Sequence, residues 1–287
     1  MRFGIIGNLQ KPGLRDAVRR LMDLLTRSRT PFCLEKELAL LVGAPAEVCA
    51  SSLEDCLASS DMMIALGGDG TILATARLVG QSEIPILGVN LGKLGFLAEI
   101  SPEEMDEALG EILEHRYLVE ERLVLEGTTP ARPGKVYHAV NDFVVDKSRS
   151  SRIIDIETHI DGTFAVTYRA DGLIISTPTG STGYALSSGG PIVSPGSRVF
   201  GITPISPHTL SGRPIIVPDS GRIRVVVRAH SDEVLFSADG QIEEFLKPPA
   251  EINIRRADYA LKLVKRMDRS YFDVLRAKLF WGQDARA

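Results

Sequence analysis

The pattern of apolar and polar positions changes character part-way along the chain. Up to about residue 115 the apolar residues come in short continuous runs or at helical spacing, and beyond it they alternate with polar ones. Phe3-Gly4-Ile5-Ile6-Gly7 and Asp61-Met62-Met63-Ile64-Ala65-Leu66 are runs of strand length, as expected of strands buried on both faces of a parallel sheet. Between them, Leu14, Val18, Leu21 and Leu25 share one face of a helix that Pro12 opens and that runs to about Arg27. Pro31–Leu34 and Ile84–Asn90 read as strands, and Glu35–Leu41 and Leu53–Ala58 as short helices. Ile72, Ala76 and Val79 mark a helix after the second run. Ser101-Pro102-Glu103-Glu104 predicts one more, with Ser101 as N-cap, Pro102 at the first helical position and Glu104 closing a capping box. Met105, Leu109 and Ile112 form its apolar face, and it ends near His115. Strands alternating with helices predict a parallel sheet with helices on both faces.

The period then becomes two. Ile154, Ile156, Thr158 and Ile160 alternate with Asp155, Glu157, His159 and Asp161. Asp161-Gly162 is a two-residue hairpin turn, after which Phe164, Val166 and Tyr168 continue the alternation. Further strands are predicted over Arg122–Glu126, Val136–Val145, Leu173–Ser176, Pro214–Val217, Arg222–Arg228, Val234–Ser237 and Glu251–Arg255, with Asp239-Gly240 as another turn. The fold class is therefore α/β plus β: an α/β Rossmann-like domain over 1–100 and a β-sandwich-like domain over 101–265. Tyr271–Leu279 reads as a helix, and the segment 266–287 is expected to pack back on the first domain.

Composition narrows the picture in three ways. A chain of 287 residues with 44% hydrophobic content is long enough to bury two cores. A net charge of −4 with dispersed Lys and Arg argues against a nucleic-acid surface. Cys33, Cys49 and Cys56 form no C-x-x-C pair and read as reduced thiols. No apolar run has the length of a membrane span, and Met1-Arg2-Phe3-Gly4-Ile5 looks like a strand rather than a signal peptide, so a cytoplasmic location is expected.

Candidate chemistry concentrates in three places. Leu66-Gly67-Gly68-Asp69-Gly70-Thr71 lies on a strand-to-helix turn. Gly67, Gly68 and Gly70 can take φ > 0 and let a ligand reach bare backbone, and the first amides of the following helix suit a phosphate. Asp69 would repel that phosphate. It either caps the helix or takes a proton from a hydroxyl about to be phosphorylated. Asp171-Gly172 through Thr179-Gly180-Ser181-Thr182-Gly183-Tyr184 is an apolar strand emptying into a loop of hydroxyls and glycines, a surface for a polyhydroxylated or phosphorylated ligand. Tyr184 either stacks on a base or fills a core gap. Asn141-Asp142 interrupts an apolar strand, as a functional site or a β-bulge would. The chain has no G-x-G-x-x-G, no P-loop and no G-x-S-x-G, and its five histidines lack metal-ligand spacing.

In order along the chain, these pieces resemble the NAD kinase family. Gly67-Gly68-Asp69-Gly70-Thr71 is similar to its Gly-Gly-Asp-Gly motif, and Asn141-Asp142 falls where the family usually has Asn-Glu. Asp171 through Tyr184 resembles its second glycine-rich motif, with Gly183 where many members carry Ala. Asn90-Leu91-Gly92-Lys93-Leu94-Gly95-Phe96-Leu97 and Pro204-Ile205-Ser206-Pro207-His208-Thr209-Leu210 are also similar to family segments.

The resemblance implies transfer of a γ-phosphoryl group from ATP or polyphosphate to the 2′-hydroxyl of the adenosine ribose of NAD, giving NADP. It makes Asp69 the proton acceptor, and Gly67, Gly68, Gly70 and Thr71 a phosphate loop. It implies that Asn141 and Asp142 hold the adenosine, and that Thr179, Thr182, Gly183, Tyr184, Ala185, Leu186 and Ser187 line the dinucleotide site with Gly70. Arg152, Arg169, Asp171 and Gln241 match positions around the ligand. Mg²⁺ would arrive with the donor phosphates, since no carboxylate cage is evident. A homodimer or homotetramer built through the β-rich domain is also implied. The rival readings are another Gly-Gly-Asp-Gly kinase, acting on a lipid or a sugar phosphate, and a dinucleotide-binding regulator without catalysis.

Overall fold

The computed structural model describes residues 1–98, 100–209 and 211–279, which fall into two compact units. The first begins with β1 (Phe3–Gly7), α1 (Leu14–Arg27), β2 (Phe32–Leu34), α2 (Lys36–Val42), α3 (Leu53–Ala58) and β3 (Met62–Gly67). It continues through α4 (Asp69–Val79), β4 (Ile86–Asn90), α5 (Met105–Leu113) and β5 (Leu118–Arg122). The strands β2, β1, β3 and β4 pair in that order, all parallel, as continuous apolar runs require. Leu14, Val18, Leu21 and Leu25 of α1 are buried against them. Cys33 of β2 and Cys56 of α3 are buried free thiols with their Sγ atoms 3.3 Å apart.

Two helix starts differ from expectation. α1 begins at Leu14 rather than at Pro12, because Gly13 takes φ 79° and a helix cannot be continued back through a left-handed residue. α5 begins at Met105, so Ser101 is not its N-cap. The Glu104 side chain still accepts from the Ser101 amide at 2.9 Å, but residues 102–104 form turns rather than the first turn of the helix.

The second unit holds β6 (Leu125–Thr128), β7 (Val136–Ala139), β8 (Asp142–Asp146), β9 (Ile154–Ile160), β10 (Thr163–Ala170) and β11 (Gly172–Ser176). After a short helix α6 (Tyr184–Ser187) come β12 (Val199–Ile205), β13 (Ile215–Pro218), β14 (Ile223–Arg228), β15 (Val234–Ala238), β16 (Ile242–Leu246) and β17 (Ala250–Arg256). They form two six-stranded sheets, ordered β10-β9-β14-β17-β6-β7 and β13-β12-β11-β8-β15-β16. Inward residues of both sheets, such as Ile156, Val225 and Ile252 from one and Phe143, Leu173 and Phe236 from the other, share one core, which makes a sandwich. Asp161 and Gly162 both have positive φ, as the hairpin between β9 and β10 demands. β11 does not alternate because both its faces are covered: Leu173 and Ile175 face the core, while Ile174 packs with Val144 and Ala185 of α6.

Several strands escape the periodicity. The strand expected over 122–126 is interrupted at Leu123-Val124, between Arg122 at the end of β5 and Leu125-Glu126 at the start of β6. The strand expected over 136–145 is broken at Val140-Asn141. β12 carries Gly201 and Pro204, which look like breakers, and β16 is only five residues long.

The chain then returns to the first unit with β18 (Leu261–Lys265), which lies parallel to β4 and brings β5 into the sheet as its last strand, and with α7 (Tyr271–Leu279). The units divide at 121/122 and 260/261, later than the expected boundary near 100 and earlier than 266. The cause is packing: Met105, Leu109 and Ile112 of α5 and Val264 of β18 belong to the first core. Residues 280–287 of the expected terminal segment, and Leu210 of the segment 204–210, lie outside the described residues.

Candidate active site

The turn between β3 and α4 places Asp69 at the carboxyl end of the parallel strands, where open α/β sheets bind ligands. Gly68, not Asp69, is the N-cap of α4, so the capping account of Asp69 does not hold. The Asp69 carboxylate instead accepts three backbone N–H bonds from the loop after β4: Phe96 at 2.8 Å, Leu97 at 3.0 Å and Ala98 at 3.2 Å. A carboxylate has about four lone-pair positions, so three amides fix its orientation and leave room for roughly one more donor. Gly95 makes the approach possible, since a Cβ there would sit 1.9 Å from Asp69 Oδ1. The ammonium of Lys278, on α7, stands 3.8 Å from Asp69 Oδ2 and 4.5 Å from the centre of the Phe96 ring.

The glycines of this turn do not take positive φ; Gly68 sits at φ −134°. They are needed for space. A Cβ on Gly67 would lie 2.1 Å from Thr71 Oγ1, the atom that accepts the Gly68 amide at 3.4 Å. Gly68 and Gly70 have nothing within 4 Å of a built Cβ, so their backbone is open to an approaching ligand. Beside Gly70 and Thr71 a cavity of ≈ 350 Å³ extends to Gly7 and Asn8 at the end of β1. A second, of ≈ 590 Å³, lies between the Pro12-Gly13 turn and Asn90–Gly92 at the end of β4.

In the second unit, strand register gathers the other motifs. Antiparallel pairing sets Asp142, the first residue of β8, against Ser176, the last of β11, and Phe143 against Ala238 of β15. Asn141-Asp142, the loop after Ser176 and the Asp239 turn therefore meet at one end of the sheet. Asp239 accepts from the amides of Val140 at 3.0 Å, Asn141 at 2.7 Å and Asp142 at 3.2 Å, which holds the strand break open. Thr177 Oγ1 donates to Val140 O at 2.5 Å, and a Cβ on Gly180 would lie 2.1 Å from Asn141 O. The Asp142 carboxyl is buried, and burial, with the Asp239 charge added, pushes its pKa up to about 7.

The remaining expected residues are placed less uniformly. Thr179 is buried and accepts from Arg122 at 3.4 Å, and Thr182 donates to Thr179 O at 3.1 Å. Tyr184 is 48% exposed, so it fills no core gap. Its neighbour Ala185 is buried under Ile174, while Gly183 and Ser187 are exposed. Gln241 is exposed in the Asp239 turn, its amide donating to Ala238 O at 3.0 Å. Asp171 lies at the opposite end of β11 from Ser176, paired with Lys147 at 2.7 Å. Arg169 pairs with Asp155 at 3.2 Å and Arg152 is exposed in the loop before β9; no side-chain contact joins either to the cluster among the described residues. Sequence reasoning took Asp239 only as a turn residue and passed over the amides of Phe96–Ala98, because both act through bonds between backbone amides and a carboxylate distant in sequence.

The chain resembles known proteins along its whole length. The family model of the ATP-NAD kinase N-terminal domain matches residues 3–117, and that of the C-terminal domain matches residues 140–266. An NAD kinase of Bacteroides fragilis is 41% identical over 290 residues, covering 100% of both chains. One of Geobacter sulfurreducens is 46% identical over 232 residues, 80% of this chain and 82% of the relative. The structure of yeast NADH kinase complexed with NADH superposes with a TM-score of 0.90 at 27% identity, covering 100% of this chain and 89% of that one. An NAD kinase from Archaeoglobus fulgidus in complex with ATP gives 0.76 at 28% identity, covering 96% and 99%. Fold and relatives together define a phosphotransferase. The chain belongs to the NAD kinase family, whose reaction phosphorylates NAD to NADP.

Proposed function

We propose that Asp69 is the catalytic residue, accepting the proton of the 2′-hydroxyl of the adenosine ribose of NAD as the γ-phosphoryl group arrives. The observation that carries this is the Asp69 carboxylate itself, oriented by three amides with one acceptor position spare, in a turn of open glycine backbone. Phosphoryl transfer needs positioning and charge neutralisation more than covalent chemistry, and a fixed carboxylate beside a phosphate loop of Gly67, Gly68, Gly70 and Thr71 meets the first need. In the second unit, Asn141 and Asp142 take the adenosine, Asp142 through ribose hydroxyls, and residues 179–187 line the dinucleotide with Tyr184 offering its ring. Arg152, Arg169, Asp171 and Gln241 take outer positions around it.

ATP is the donor we favour, supported by the Archaeoglobus relative's complex with ATP; polyphosphate is the second candidate. No group of three or more His, Cys, Asp or Glu among the described residues could hold a metal ion. In this reading Mg²⁺ would arrive with the donor phosphates and offset their charge. No described helix is long and apolar enough to cross a membrane, and the three cysteines are free; a cytoplasmic enzyme is the reading these support.

One incubation tests the reading: the protein with NAD, Mg²⁺ and either ATP or polyphosphate, with NADP followed by a coupled dehydrogenase. NADP formation is the expected result. Phosphorylation of diacylglycerol or fructose 6-phosphate in place of NAD would favour the other Gly-Gly-Asp-Gly kinases, and calorimetric NAD binding without turnover would favour a regulator.

A further inference from the structure

Asp69 resolves one half of the electrostatic problem and creates the other. A carboxylate that orients the attacking hydroxyl also repels the phosphoryl group that the hydroxyl must reach. The transferring group spreads negative charge over three equatorial oxygens, so a protein cation close to the carboxylate would add to the Mg²⁺ carried on the donor phosphates.

Lys278 is placed for that. It projects from α7, which is anchored by buried Val274 and Leu275, and comes from a part of the chain some two hundred residues after the glycine turn. Its Nζ lies 3.8 Å from Asp69 Oδ2, beyond hydrogen-bond distance, and 4.5 Å from the Phe96 ring centre. Asp69 already has three amides to orient it, so Lys278 is not required as its anchor. The ammonium makes no hydrogen bond among the described residues, which leaves its three N–H groups for an incoming oxygen. Distances allow the contact. A hydroxyl held by Asp69 lies about 3 Å from it, and the phosphorus about 3–3.5 Å further on. An ammonium 3.8 Å from the same carboxylate oxygen can reach the equatorial oxygens by rotation of its flexible stem.

We propose that Lys278 is a catalytic residue of the transfer step, contacting the migrating phosphoryl group and neutralising its charge beside Asp69. The assignment rests on the NAD kinase reading. Lysine keeps its proton throughout: the bond that breaks is from phosphorus to the donor's bridging oxygen, the bond that forms is to the ribose 2′-oxygen, and the hydroxyl proton goes to Asp69.

The test uses the full chain and steady-state NADP formation, with Lys278→Met, Lys278→Arg and Lys278→Ala, each with a melting curve. Lys278→Met should keep its melting temperature and its KM for NAD while kcat falls about 10²–10³-fold, the usual loss for one charge-stabilising donor. Lys278→Arg should recover part of that loss. Ethylammonium added to Lys278→Ala should restore rate in a saturable way, which a merely structural lysine would not permit. A folded Lys278→Met with near-native kcat overturns the proposal. So does a loss shared equally by Lys278→Arg and not relieved by the amine, since that marks Lys278 as a strut for the Phe96 loop. If the unaltered chain makes no NADP, the NAD kinase reading itself falls, and the control run shows it before any variant is compared.

Discussion

Asp69→Asn isolates one oxygen. The substitution keeps Oδ1 and its bonds to the Leu97 and Ala98 amides but turns an NH₂ toward the Phe96 amide, where an acceptor stood. The donor–donor clash should cost about 1–2 kcal/mol of stability. The lost base should lower kcat about 10²–10⁴-fold with little change in KM for NAD. Kinetics and a melting curve of the purified variant decide the matter, and near-native kcat would end the catalytic assignment.

Asp142 makes a second prediction at this scale. Its pKa lies near 3.8 in the unfolded chain and is pushed up to about 7 by burial and Asp239. As pH rises from about 4 to 7 the unfolded chain releases this proton and the folded chain retains it. The carboxyl therefore costs stability increasingly over that window and by a constant amount above it, at most roughly 4 kcal/mol. Asp142→Asn should melt higher than the parent by a margin that widens between pH 5 and 7 and is flat beyond. NAD affinity should fall as the ribose hydroxyls lose an acceptor. A margin independent of pH would show that Asp142 is not held protonated. The place of Asp69 on a strand-to-helix turn of glycines and the polar interruption at Asn141-Asp142 were legible from residue type alone. The three-amide cradles at Asp69 and Asp239 were not, because their donors come from backbone 27 and 98 positions away in sequence.

Elements were legible where one force dominates. Leu53–Ala58 and Tyr271–Leu279 match, and the continuous apolar run Asp61–Leu66 falls within one residue of β3 at each end. Boundaries failed where a single residue decides, as with left-handed Gly13 before α1. Strands failed where pairing outweighs local preference: β12 holds Pro204 opposite Leu173 in its ladder with β11, past Ile202, where its pairing with β13 ends. The loop after β11 carries the sharpest element-scale prediction. A Cβ on Gly180 would meet the Asn141 carbonyl at 2.1 Å, and backbone cannot rotate away as a side chain can. Gly180→Ala should cost about 1–3 kcal/mol and shift the Asn141-Asp142 break. Thermal unfolding and an NAD titration check this together. A variant as stable as the parent, with unchanged affinity, would show that the two loops do not depend on each other.

At the scale of the whole molecule, the change from helical to alternating periodicity was enough to foresee an α/β unit and a β-rich one, but not that α5 and β18 complete the first. The remaining question at this scale is assembly. The family resemblance implies a homodimer or homotetramer made through the β-rich unit, and two features of that unit are consistent with it. Val136, Phe164, Ile216 and Phe245 leave large apolar side chains exposed on its strands. Arg152 and Arg169, expected near the ligand, are exposed and away from the Asn141–Thr182 cluster of their own chain, as residues serving a neighbouring subunit's site would be. The expected outcome is a light-scattering mass at assay concentration of at least twice the 31.2 kDa of one chain. Arg169→Ala should then weaken NAD binding while leaving the mass and the melting temperature unchanged, because its ion pair with Asp155 is exposed and contributes little. A fully active species at the mass of one chain would show that each subunit builds its site alone, and the outer positions assigned to Arg152 and Arg169 would go with the oligomer.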